Sequence, residues 1–286
     1  MLMATINRRV LMSGTDYFSD DFAINPYMDS SLAVDRQKAN QEHQAIQAAF
    51  KDAGIAIETV AAPPDCQDGV YTANWALTRG NMAVMSSLPN KRQAEEPHAK
   101  EALENLGFVT VEAPFHFSGQ GDALPCGDLV FMGSRYRTDP QMHRFIAETL
   151  GYQVIGLQTV PSRLKGVPVV NAVTGWPDSF FYDIDLALSV LTPTLIAWCP
   201  EAFVPESQTK IERLPIDKIE VSLEEATKGF ACNLVSSGET VIMSAQAPEL
   251  KKAIEAHGLK TITPAVSELA KGGGYIRCVS LTLDNA

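Results

Sequence analysis

What the sequence lacks narrows the field before any motif is read. No window of the 286 residues approaches eighteen or so uninterrupted apolar positions, so no membrane span is expected. Basic residues are scarce: 23 Lys and Arg stand against 34 Asp and Glu, a net charge of −11. They form no cluster beyond short pieces such as Lys91-Arg92, so the chain is not built to neutralise nucleic-acid phosphates. The five cysteines, Cys66, Cys126, Cys199, Cys232 and Cys278, are odd in number, scattered and without a C-x-x-C pair, which argues against a disulfide framework or a structural zinc site. The five histidines show no metal-ligand spacing, and His43, His98, His143 and His257 fall in helix-like stretches where they read as solvated. Residues Met1 to Arg9 put their basic side chains after the apolar ones and lack a long apolar core, so no secretory leader is read and a reduced, cytoplasmic protein is expected. Finally, no Gly/Ser-rich or charge-rich break long enough to join two domains is found, and residues 1–286 are expected to form a single domain.

What is present is a globular composition, 45% hydrophobic and 20% charged, with a repeated pattern. Met82 to Leu88 reads as a strand, the stretch from Asn90 to Asn105 has Ala99, Ala102, Leu103 and Leu106 at helical spacing, Gly107 fits a helix C-cap, and Phe108 to Val111 reads as a second strand. The pattern recurs from Asp128, with a strand at Leu129 to Gly133, a helix over Gln141 to Leu150, Gly151 and a strand at Tyr152 to Ile155. It recurs again from Thr240, with Pro248 opening a helix that ends at His257, then Gly258 and Lys260 to Thr263. Asn40 to Ala53, Gly54 and Ile55 to Val60 repeat its second half. The interval from Gly151 to Gly258 is about two units long, and Thr194 to Trp198 would open the missing one, so five units are expected around a shared axial pocket.

Several residues could carry chemistry, and each has a plainer reading. Cys278 follows the turn Gly272-Gly273-Gly274 and is either a nucleophile or a buried strand cysteine. Asp183 and Asp185 flank Ile184; on a strand both would face one side and call for a guanidinium or metal partner, while a solvated turn or helix N-terminus explains them as well. Asp122 ends Gly119-Gln120-Gly121-Asp122, which has too few glycines for a dinucleotide loop. Arg137 could clamp a carboxylate or lie on the surface.

Taken in order, Pro64 to Asn74, the Gly119 to Asp122 turn, Arg137-Thr138-Asp139, the Asp-x-Asp pair and Gly272 to Cys278 resemble the guanidino-group-modifying, or pentein, superfamily over nearly the whole chain. Asp21 to Met28 is similar to the N-terminal signature of its amidinotransferase-like branch. The resemblance implies a five-fold pseudosymmetric α/β propeller of ββαβ-type units around a central pocket. It further implies hydrolysis at the guanidino or amidino carbon of an arginine-like small molecule through a covalent cysteine adduct, with no metal and no organic cofactor, and it leaves homo-oligomerisation open. Carried over by position, Cys278 matches the nucleophile, Asp185 a guanidinium-binding carboxylate, Arg137 a substrate-carboxylate clamp, and Asp122 the acid of the Gly-x-Gly-Asp turn. Asn74 stands where deiminases have Asp and dihydrolase-like members have Asn.

Two positions depart from that pattern. The catalytic histidine is replaced by Asp183, whose type has a reference pKa near 3.9 against roughly 6.5 for histidine, and the glutamate before the glycine turn is replaced by Ser118. His116, two residues before Ser118 in an extended-looking run, would supply an imidazole if both faced the pocket. Amidino transfer to an amine is the alternative reaction, and a binding protein that has lost the histidine-dependent step is the alternative class.

Overall fold

The computed structural model describes residues 5–21, 28, 33–170, 175 and 177–286. Five three-stranded sheets dominate it, each with one antiparallel and one parallel pairing. In four units a short inner strand doubles back antiparallel onto a middle strand, a helix follows, and an outer strand returns parallel to the middle one. These are Ala76–Arg79, Met82–Met85, Glu96–Asn105, Val109–Val111; Ala123–Cys126, Leu129–Met132, Gln141–Leu150, Gln153–Gly156; Leu188–Thr192, Leu195–Trp198, Pro205–Glu212, Asp217–Glu220; and Val235–Ser236, Thr240–Ile242, Pro248–Ala256, Lys260–Ile262. The fifth unit draws on both ends of the chain. Leu281–Thr282 is its inner strand, antiparallel to Arg9–Ser13, and helix Arg36–Asp52 leads to the parallel strand Ala56–Val60. A separate hairpin, Arg163–Leu164 with Val167–Pro168, stands outside the five.

Successive inner strands are tied edge to edge. Thr78 Oγ1 donates to the Thr282 carbonyl at 2.8 Å, Gln120 Nε2 to Thr78 Oγ1 at 3.3 Å, Cys126 Sγ to the Pro193 carbonyl at 3.4 Å, and Ser236 Oγ to the Leu191 carbonyl at 2.6 Å. Asn7 Nδ2 closes the circuit on the Ser236 carbonyl at 2.8 Å. Middle strands such as Met82–Met85, Leu129–Met132 and Leu195–Trp198 are apolar throughout because the helix covers one face and the inner ring lies beside them. The expected five-unit α/β arrangement is therefore present.

Local departures from the expected elements have physical causes. Gly54, Gly107, Gly151 and Gly258 all take positive φ after their helices, but the third unit's helix runs out into Arg213 instead, which is why its repeat carries no glycine mark. The stretch expected as one helix from Asn90 begins as a 3-10 helix, Asn90–Glu95, because Pro97 has no N–H to extend the α-helical ladder backward. Of the N-terminal signature, residues 22–27 lie outside the described residues. Among those described, no helix is long and apolar enough to cross a membrane.

Candidate active site

Just ahead of each inner strand the chain presents one or two polar side chains, and these meet at the same end of the ring: Asn74, Asp122, Asp183 with Asp185, Asn233 and Cys278. The pseudo-repeat thus converts positions remote in sequence into one buried cluster.

Cys278 is 5% exposed, and its thiol lies 3.3 Å from Asp185 Oδ2. Asn233 fixes it from the other side: the amide Nδ2 reaches Sγ at 3.2 Å, and Oδ1 accepts from the backbone N–H groups of Arg277 and Cys278 at 3.0 and 3.2 Å. The preceding glycines serve close approach. A Cβ on Gly274 would stand 2.5 Å from the Tyr71 ring and 2.9 Å from the Cys278 Cβ. Burial pushes the Cys278 thiol well above its usual range, and the charge of Asp185 adds to that. Burial likewise raises Asp185 to about 8, with Asp183 contributing next. Both shifts favour a neutral thiol beside a protonated carboxyl in the free protein.

Asp183 and Asp185 do not share a strand face, as the period-two reading expects. Asp183 is extended and precedes the 3-10 turn Ile184–Leu186, so the turn swings the two carboxylates apart. Asp185 goes to Cys278, whereas Asp183 Oδ2 accepts from Asn74 Nδ2 at 2.8 Å and from Arg137 Nη1 at 3.3 Å. Among the described residues, the Oδ1 atoms of both are buried without a partner. Asp122 binds the turn between them by accepting from the Ile184 N–H at 3.1 Å, and its carboxyl is raised well above the usual range by burial and then by Asp183.

Asn74 is committed on both sides of its amide. Its Oδ1 accepts from Arg92 Nη1 at 2.8 Å, and its Nδ2 faces Asp183 together with the Ser118 carbonyl and hydroxyl at 3.0 and 2.9 Å. Arg92 forks onto Glu95 at 2.8 and 2.9 Å, and Trp75 Nε1 caps Glu95 Oε2 at 3.0 Å, so a buried ion pair sets the orientation of Asn74. Gly121 permits this packing, since a Cβ there would collide with Asn74 Nδ2 and lie 2.8 Å from Asp183 Oδ2. Arg137 lies 3.9 Å above the Tyr182 ring. All six residues singled out from the sequence therefore belong to one connected network.

The histidines differ from expectation. His116 is exposed while Ser118 is fully buried, so the two do not share a face and no imidazole reaches the cluster from that position. His43 is buried, not solvated, and burial lowers it to about 4; His143 is half-buried against the Gly133 carbonyl at 2.8 Å. Asn233, Arg92 and Glu95 were not foreseen. Asn233 was findable as the residue preceding the fourth inner strand, the place its counterparts occupy in the other units; Arg92 and Glu95 lie in the 3-10 segment that read as ordinary polar helix. Among the described residues no group of three or more His, Cys, Asp or Glu is arranged to hold a metal ion.

A family model for N,N dimethylarginine dimethylhydrolase, eukaryotic, matches residues 14–283. The N(G),N(G)-dimethylarginine dimethylaminohydrolase of Mycobacterium tuberculosis is 30% identical over 277 residues, 96% of this chain and 86% of that protein. The bifunctional arginine dihydrolase/ornithine cyclodeaminase ArgZ of Synechocystis is 29% identical over 280 residues, 96% of this chain but 37% of that longer protein. A structure of the N-terminal domain of ArgZ, with an asparagine replaced by serine and covalently bound to a reaction intermediate, superposes with a TM-score of 0.87 at 27% identity, covering 97% of this chain and 98% of that one.

Proposed function

The chain belongs to the N,N dimethylarginine dimethylhydrolase family, and on that premise we propose that it hydrolyses a C–N bond at the guanidino carbon of an arginine-derived small molecule through a covalent Cys278 adduct. The observation that carries the reading is the Cys278 thiol held between Asn233 and Asp185 at 3.2 and 3.3 Å. A cationic guanidinium arriving beside Asp183 and Asp185 supplies the charge the buried acids lack, releases to solvent the proton that Asp185 holds in the free protein, and favours the thiolate. Sulfur then attacks the guanidino carbon, and the S–C bond forms as one C–N bond breaks. The thiol proton passes to Asp185 and from it to the departing nitrogen, so the step leaves a cationic thiouronium and a neutral amine beside the ionised Asp183 and Asp185. Water attacks the adduct, giving one proton to Asp185 and the second to the released amine; Asp185 then passes its proton to the departing sulfur, while Asp183 stays ionised against the cationic adduct. The products are a ureido compound and an ammonium ion. Arg137 is the group that takes the substrate carboxylate, Asp122 holds the Asp183–Asp185 turn, and Asn74 acts through Asp183.

Incubation with arginine and its mono- and dimethylated forms, followed by assay for ureido product and by intact mass, tests this. A mass increment on Cys278, absent from Cys278→Ser along with turnover, is expected; unchanged turnover by Cys278→Ser overturns the mechanism. Product that forms only when an amine acceptor is added points to amidino transfer. Thermal stabilisation by these ligands without any product points to a binding protein, a reading favoured by Asp183 standing at the histidine position.

A further inference from the structure

Of the three arginines among the carboxylates of the site, Arg277 beside Asp185 is held by Gln120 and Thr282, and Arg92 and Arg137 are held in different ways. Arg92 is pinned by the fork onto Glu95, by Asn74 Oδ1 at 2.8 Å and by the Tyr71 carbonyl at 3.3 Å. Arg137, only 10% exposed, makes one hydrogen bond among the described residues, from Nη1 to Asp183 Oδ2 at 3.3 Å. That separation exceeds the roughly 2.7–2.9 Å of a tight charge-assisted bond. Asp183 Oδ2 is shared with Asn74 at 2.8 Å, and Asp183 Oδ1 has no partner among the described residues, so the pair is monodentate and loose on both sides. Beneath the guanidinium lies the Tyr182 ring at 3.9 Å, itself fixed by donation from its hydroxyl to the Gly273 carbonyl at 2.5 Å. A carboxylate edge and an aromatic face together recognise a guanidinium ion, whichever molecule bears it.

We propose that Arg137 is a displaceable internal occupant of the guanidinium site: in the free protein its guanidinium sits on Asp183, and ligand enters by exchange, its own guanidinium taking Asp183 while its carboxylate takes the released Arg137. This rests on the functional reading above and adds a specificity rule to it. A ligand with both groups satisfies both partners. One with a guanidinium alone leaves a released, buried arginine without a counter-charge and binds weakly. Arg137 is thereby a specificity-determining residue for guanidino compounds bearing a carboxylate, over the corresponding decarboxylated amines.

Isothermal titration in a Cys278→Ser background, which removes turnover, compares methylguanidine with N-methylarginine before and after Arg137→Ala. If the unoccupied form is about one-tenth populated, removing the occupant tightens methylguanidine binding about tenfold, while N-methylarginine weakens by about tenfold or more. These opposite signs support the exchange. Methylguanidine affinity unchanged within about twofold makes Arg137 a static clamp and overturns it, as does weakening of both ligands. Should Arg137→Ala not fold, the Cys278→Ser crystal structure with N-methylarginine decides: Arg137 moved off Asp183 supports the proposal, and an intact Arg137–Asp183 pair beside bound ligand overturns it. Binding of neither ligand to Cys278→Ser would overturn the functional reading, and the exchange with it, whereas binding without exchange overturns the exchange alone.

Discussion

Asp185→Asn should abolish turnover and yet stabilise the protein at neutral pH. Burial first, and Asp183 second, move Asp185 from 3.8 to about 8 in the folded protein. Between those values the native state keeps a proton that the unfolded chain has released, so this residue subtracts stability as pH rises through the window, by up to about 1.4 kcal/mol per pH unit. Integrated to pH 7 and discounted because Asp185 does not titrate independently of its neighbours, the cost is on the order of 2 to 4 kcal/mol. Asparagine keeps the shape and the contact with Cys278 but carries no charge to bury. Arg277, whose guanidinium donates to Gln120 at 2.5 Å and Thr282 at 2.9 Å, loses little, because at pH 7 its neighbour Asp185 is already largely protonated. For a chain of this size the gain corresponds to a melting temperature higher by about 3 to 7 °C at pH 7, narrowing toward zero near pH 4. Thermal and urea unfolding of both proteins at several pH values between those limits would measure it. A variant less stable than the parent at pH 7, or a difference that does not grow with pH, would refute the reasoning.

Other perturbations test other contacts. Asn74→Asp replaces the donor that faces Asp183 with a second carboxylate while leaving Arg92 its acceptor; urea unfolding should show a loss of about 1 to 3 kcal/mol at pH 7.5 and a smaller one at pH 5, where the added charge is partly neutralised. Gly121→Ala drives a Cβ into Asn74 and to 2.8 Å from Asp183 Oδ2, and a displacement of that kind should lower kcat/KM about 100-fold and stability by about 1 to 3 kcal/mol, read by turnover and urea unfolding. A cavity of about 30 Å³ is lined by Asp185, Ser189 and Arg277 among others, and both Asp185 Oδ1 and Ser189 Oγ are buried without partners among the described residues. A high-resolution crystal structure should show an ordered water there, and Ser189→Val should expel it.

The fold was legible because its signal is repeated. Four glycines after helices and a set of short apolar strands mark the units, and even the unit without a glycine declared itself through Leu195–Trp198. What the pattern hid was the closing strand: Leu281–Thr282 is too short to read alone, and it joins Arg9–Ser13 across almost the whole chain. At the site, residues that belong to motifs were legible by type and position, as with Cys278, Asp185 and Asp122. Their partners were not. Whether Asp183 faces Asp185 or Asn74 is settled by a 3-10 turn too short to show periodicity, and whether Arg137 faces solvent or a carboxylate depends on Tyr182 beneath it. His43 shows the same limit, since helical spacing gives its face only once the partner strands are known.

The two departures from the expected pattern become one change when the contacts are considered together. Asn74 Nδ2 has two hydrogens, and the structure sets it against Ser118 on one side and Asp183 on the other, at 2.9 and 2.8 Å. A glutamate at 118 with histidine at 183 would place one carboxylate in this group; Ser118 with Asp183 also places one, moved across the amide. Retaining the glutamate while introducing Asp183 would converge two buried carboxylates on a single amide, a cost that only a shared proton or another cation would offset. Asn74 suits the exchanged arrangement because Arg92 holds its carbonyl and turns its N–H groups toward the new acid. Arg137 then pairs with the relocated charge. The carboxylate at 183 is accordingly accommodated by its neighbours, with Asn74 donating to it and Arg137 paired to it above the Tyr182 ring.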